Sequence, residues 1–174
     1  MLMRRNTTLR SKPWMKHMRD AVLAAVVISL IVYWQTKDML DSSGSVVVAQ
    51  QNLVSLNKEV LPLLDKNKTN LIYFFAPWCT ICSLSIGNLE YLDANKVNVV
   101  VIALDYASVE EVSQFVTEHE VSSTVLLGHA DLKSQFQIQG YPSYYLVDEN
   151  QVITSRSIGY STALGLKLRE VFGS

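Results

Sequence analysis

Three kinds of hydrophobic pattern divide the chain. Residues 21–34 form an apolar run interrupted only by the weakly polar Ser29. Further on, short continuous apolar runs at 71–75, 97–104 and 124–127 are of buried-strand type. Between them the spacing turns helical. Leu84, Leu89 and Leu92 predict a helix over 79–93, and Ser108 with Glu111 forms a capping box opening a helix to about residue 119. Residues 131–138 predict a short helix and 162–172 a closing one. Residues 144–147 and 152–155 flank Asp148-Glu149-Asn150-Gln151, a hairpin signal. The apolar pieces 46–48 and 53–56 read as an edge hairpin, and the small polar stretch before them as a tether. The order is strand, helix, strand, helix, strand, helix, hairpin, helix. It predicts an α/β domain: a central mixed sheet flanked by helices.

Composition adds bounds. The chain has 174 residues, 49% of them hydrophobic and 18% charged. That suffices for one packed domain with something extra, and argues against disorder. The net charge of −1 hides an asymmetry. Arg4, Arg5, Arg10, Lys12, Lys16 and Arg19 make residues 1–19 purely basic, whereas residues 20–174 carry nine cations and sixteen acids. So acidic a body has no electrostatic reason to bind nucleic acid.

A basic head followed at once by the apolar run reads as a membrane-targeting segment. Fourteen helical residues rise only about 21 Å, against a hydrocarbon core of roughly 30 Å. Lys16 pairing with Asp20, snorkelling of Lys16 and Arg19, and the aromatic anchors Trp14, Tyr33 and Trp34 would make up the difference. Gln35-Thr36-Lys37-Asp38 offers no small-residue cleavage site, so the segment is expected to remain. The expected layout is a cytoplasmic basic head 1–19, a transmembrane anchor 20–36, a linker 37–45 and an outward-facing domain 46–174.

The chemistry centres on Trp78-Cys79-Thr80-Ile81-Cys82, which holds both cysteines. Three residues apart at the start of a helix, two sulfurs can close a small disulfide ring. Cys79 at the helix N-terminus would be favoured as a thiolate, able to attack a substrate disulfide, and Cys82 would resolve the mixed disulfide. A zinc site would need four ligands, and His17, His119 and His129 are scattered. Covalent haem would need His at 83, where Ser stands. An inert structural disulfide stays open. Tyr141-Pro142, after Gly140 and just before a strand, is a candidate cis bond. Without an N–H on Pro142, the Tyr141 backbone would be free to pair with an extended substrate. Trp78 beside Cys79 is a candidate substrate contact, as is the tyrosine-rich edge.

The segment Phe75-Ala-Pro-Trp-Cys-Thr-Ile-Cys82, followed some sixty residues later by Gly140-Tyr-Pro-Ser-Tyr-Tyr-Leu-Val-Asp148, resembles the thioredoxin superfamily over about residues 45–172. The anchor makes it similar to the membrane-tethered TlpA/ResA-like thiol–disulfide oxidoreductases, in particular the suppressor-of-copper-sensitivity D type. The resemblance implies a thioredoxin fold, Cys79 as nucleophile, Cys82 as resolving thiol and Pro142 as a cis-proline facing them. It further implies a single-pass protein of the bacterial inner membrane that reduces disulfides of periplasmic proteins. Electrons would come from a transmembrane thiol carrier, with no cofactor or metal beyond the cysteine pair. Two departures are visible. Family members often carry an acidic residue or Asn six positions before the first Cys, where Tyr73 stands here, with Glu90 as a candidate substitute. Thr80-Ile81 is not the Gly-Pro of reducing thioredoxins, so disulfide oxidase or isomerase activity stays open, as does a non-catalytic anchored module.

Overall fold

The computed structural model describes residues 13–172. The first cations of the basic head, Arg4 to Lys12, lie outside this range. The described chain divides into two units, one ending at Lys37 and one beginning at Asp38.

The first unit is a single helix, α1 (Pro13–Thr36). Apolar side chains are exposed all round it, among them Val22, Leu23, Val27, Leu30 and Ile31. Asp20 accepts from its neighbour Arg19 at 3.0 and 3.2 Å, the place expected for Lys16. Among the described residues no helix is long and apolar enough to cross a membrane.

The second unit is built on β3 (Thr69–Phe75), whose seven residues are all buried. Such a strand must be covered on both faces, and it is. Parallel β4 (Val97–Ala103) and antiparallel β6 (Ser143–Val147) flank it. Outside these lie β5 (Val125–Leu127), parallel to β4, and β7 (Ile153–Ile158), antiparallel to β6. A hairpin of β1 (Asn52–Ser55) and β2 (Val60–Pro62) completes the far edge, giving the order β2-β1-β5-β4-β3-β6-β7.

That hairpin corrects the expected one. Residues 46–48 do not pair with 53–56. Instead Val47 bridges Val152, and β1 turns back through Lys58, at φ +67°. Within the stretch read as a linker, Met39 is buried, and the Met39 and Leu40 carbonyls each accept from Arg156 at 2.6 Å.

Period-2 alternation along β3 sorts the core into two layers. Ile72 and Phe74 face one side, where they pack with Leu132 and Phe136; the former belongs to α4 (Ala130–Gln135). Leu71, Tyr73 and Phe75 face the other side. There lie Cys82 of α2 (Thr80–Ser85), Ile86 and Leu89 of a 3-10 segment (Ile86–Tyr91), Val112 and Phe115 of α3 (Val109–Glu118), and Leu166 of α5 (Ala163–Phe172). Burying a large apolar side chain contributes about 1.5–3 kcal/mol, so this layer is a firm floor for whatever sits at the end of β3. The helix expected over 79–93 is therefore α-helical only to Ser85 and then tightens.

Candidate active site

β3 ends at Phe75, and Ala76-Pro77-Trp78 turns the chain into α2. The Cys79 N–H donates to the Ala76 carbonyl at 3.0 Å, which closes this turn. Cys79 is the N-cap of α2, in extended conformation, and its Sγ accepts the Cys82 N–H at 3.1 Å. Cys79 and Cys82 are joined as a disulfide with Cα atoms 5.2 Å apart. The two sulfurs are not equivalent. Cys79 is 7% exposed and borders an open groove, whereas Cys82 is wholly buried. The groove, of about 360 Å³, lies between α2 and α3 and is lined by Trp78, Cys79, Thr80, Gln114, Phe115 and His119, among others. A larger hollow, of about 550 Å³, lies near the opening ends of β3 and β4 and includes none of the cysteines.

An N-cap sulfur accepting a backbone N–H is stabilised as an anion, because the donor interacts more strongly with charge than with a neutral thiol. A sulfur so placed at the border of a groove can attack, and a buried one beside it can carry out the second step of exchange.

Of the remaining expected site residues, Trp78 adjoins Cys79 in the chain and Tyr141 packs against the core layer that holds Cys79. Trp78 is 62% exposed, and its Nε1–H donates to the Asp105 carbonyl at 2.9 Å. Tyr141 meets the Trp78 ring edge-on at 5.7 Å between centroids. The Tyr141–Pro142 bond is cis, and Pro142 is buried, its carbonyl accepting the Gly159 N–H at 2.8 Å. The Tyr141 hydroxyl donates to the Asp105 carboxylate at 2.9 Å, and Lys133 donates to the same oxygen. Burial would raise the Asp105 pKa, but the Lys133 and Tyr141 hydrogen bonds outweigh it and leave the carboxyl below the usual range. Burial, reinforced by that carboxylate, raises the Tyr141 phenol. Asp105 and Lys133 were not foreseen. The available signal was a polar residue directly after the apolar strand run 97–104, at the same end of the sheet as the cysteines.

Beneath Cys82, Tyr73 takes the place of an acid. Its hydroxyl shares a hydrogen bond with Ser85 Oγ at 3.1 Å and donates to the Cys82 carbonyl at 3.4 Å. Burial and the neighbouring Tyr144 phenol raise its pKa far above neutrality, so it is no base at ordinary pH. Glu90 is engaged elsewhere, accepting from Ser122 at 3.2 Å. Two of the histidines make contacts within the domain. His129 caps α4, its Nδ1 accepting the Leu132 N–H, and His119 rests edge-on against Phe115.

A profile of the Redoxin family matches residues 42–167. The thioredoxin-like protein YneN of Bacillus subtilis is 26% identical over 117 residues, covering 64% of this chain and 69% of that one. A thioredoxin-like protein of Haemophilus influenzae is 22% identical over 165 residues, 94% of this chain and 97% of its own length. Among solved structures, a putative thiol:disulfide interchange protein DsbE from Chlorobium tepidum superposes with a TM-score of 0.66. It is 20% identical and covers 76% of this chain and 98% of its own. That likeness gives the fold: thioredoxin-like, with a mixed sheet between helices.

Proposed function

The chain belongs to the Redoxin family, as a thioredoxin-like thiol–disulfide oxidoreductase with a close cysteine pair, and from that premise we propose that it reduces disulfides of exported proteins through Cys79 and Cys82. The observation that carries this is the inequality of the two sulfurs: one at a groove and hydrogen-bonded by a backbone N–H, the other sealed beneath it.

In the dithiol form, the Cys79 thiolate attacks one sulfur of a substrate disulfide. The substrate S–S bond breaks, a Cys79–substrate disulfide forms, and the first substrate thiolate leaves and is protonated. Cys82 loses its proton and attacks Cys79 Sγ. The mixed disulfide breaks, the internal disulfide forms, and the second substrate thiolate is released. The substrate gains two electrons and the protein loses two, so each cycle needs an external dithiol. We assign that role to a transmembrane thiol carrier. Pro142 and Tyr141 bound the substrate side: the Tyr141 backbone makes no hydrogen bond with the described residues, which suits pairing with an extended segment.

We read α1 as the anchor of the TlpA/ResA-like arrangement, of the suppressor-of-copper-sensitivity D type. The N-terminus would then be cytoplasmic and the catalytic domain periplasmic. Over residues 21–34 this helix is apolar all round its circumference but for Ser29 and has no polar side to present to solvent, which supports a lipid environment. Lys16 and Arg19 extend its short apolar stretch toward the headgroups.

The test is turnover of insulin by the full chain in detergent micelles, with dithiothreitol as donor. Cys79→Ser should abolish it, and Cys82→Ser should accumulate a mixed disulfide. Turnover of the Cys79→Ser protein at the parent rate would overturn the assignment.

A further inference from the structure

Asp105 sits where four segments of the chain converge beside the disulfide. It follows β4, with backbone φ at +49°. Its carbonyl receives the Trp78 indole N–H from the turn ahead of α2. Its carboxylate receives the Tyr141 hydroxyl from the turn ahead of β6 and the Lys133 ammonium from α4. The Lys133 Nζ also lies 5.8 Å from the centre of the Tyr141 ring, whose other neighbour is Trp78.

An isolated exposed Lys–Asp pair contributes little, since water competes for both ends. This pair differs in what it holds. The polar atoms of Trp78 and Tyr141 both end on Asp105, so both rings are fixed in orientation. The indole spends its one donor inside the protein and remains largely exposed, leaving an aromatic surface next to Cys79. Ordering such side chains before binding spares the entropy of ordering them at contact.

We propose that Asp105 is a positioning residue that pre-sets the Trp78–Tyr141 ridge for polypeptide substrates carrying apolar or aromatic residues beside their disulfide. The proposal rests on the exchange reading above and names the substrate class of that same site. It assigns Asp105 no contact with the reacting sulfurs.

The left-handed backbone chooses the variants. Asn and Gly accept a positive φ, whereas Ala there would add strain. Asp105→Asn keeps the shape and an oxygen for Tyr141 but loses the charge facing Lys133. Asp105→Gly loses every side-chain contact yet keeps the carbonyl for Trp78. With the full chain in detergent and insulin as substrate, Asp105→Gly should raise KM about ten-fold, the scale of losing a hydrogen bond to a charged group. Asp105→Asn should fall between it and the parent. For both, kcat should stay within two-fold. Binding of the carboxymethylated insulin B chain, which has no disulfide to exchange, should weaken by the same factors. An unchanged KM and unchanged binding would overturn the proposal. So would a fall in kcat at constant KM, or parallel losses of kcat, binding and thermal stability. A parent chain that binds the B chain but turns over no insulin would fail the exchange reading instead, and the binding arm would still decide the role of Asp105.

Discussion

Tyr73 shows how much one residue type decides at this site. It occupies the floor beneath Cys82, fully buried between Phe75 and Tyr144, and crosslinks β3 to α2 through Ser85 and the Cys82 carbonyl. A carboxylate there could take up a proton from Cys82, whereas this phenol serves to hold the helix. Tyr73→Phe should therefore lower unfolding stability by about 1 kcal/mol, through the lost hydrogen bonds, and leave the fold intact. Chemical denaturation measures this; equal stability would show that the hydroxyl is idle. The pairing of Cys79 with Cys82 at the start of α2 was legible from their spacing and placement, because one helical turn brings the two sulfurs together. Asp105 was not, because no pattern in one dimension links positions 78, 105, 133 and 141.

At the level of elements, the strands β3 and β4 were the most legible, since a run buried on both faces cannot be mistaken for a solvated loop. α3 was legible from its cap: Ser108 Oγ accepts the Glu111 N–H, and Glu111 reaches back to the Ala107 N–H at 2.7 Å. The β1–β2 hairpin was obscure because only Leu53 and Ser55 of β1 are buried and β2 is a short edge strand. Packing at the end of β5 is closer than the sequence suggests. A Cβ on Gly128 would meet Leu104 Cδ2 at 2.6 Å, and the Ala103 carbonyl oxygen and Ile102 Cγ2 at 2.9 Å each. The carbonyl belongs to β4 and accepts the Gly128 N–H, so it cannot give way cheaply. Gly128→Ala should cost about 1–3 kcal/mol of stability in the same denaturation experiment. A cost near zero would mean that β5 slides freely on β4.

On the scale of the molecule, phenols buried or half-buried on both faces of the sheet tie stability to alkaline pH. Burial raises the pKa of Tyr73, Tyr141 and Tyr144, and pushes Tyr145 up to about 12. Above about pH 10 an unfolded chain sheds phenolic protons that the folded domain retains. The stability these groups contribute is thus complete below pH 10 and is lost as pH climbs beyond it. Denaturant midpoints should be level between pH 8 and 9.5 and clearly lower at pH 11. A midpoint unchanged at pH 11 would contradict this. The same scale unites the site, since turns after β3, after β4 and before β6 all lie at one end of the sheet, around a disulfide whose two sulfurs differ in access. That difference is tested most directly by the pH dependence of Cys79 alkylation with iodoacetamide in the full-length Cys82→Ser protein. The expected midpoint lies well below the ordinary cysteine value of about 8.5. A midpoint at or above that value would contradict it.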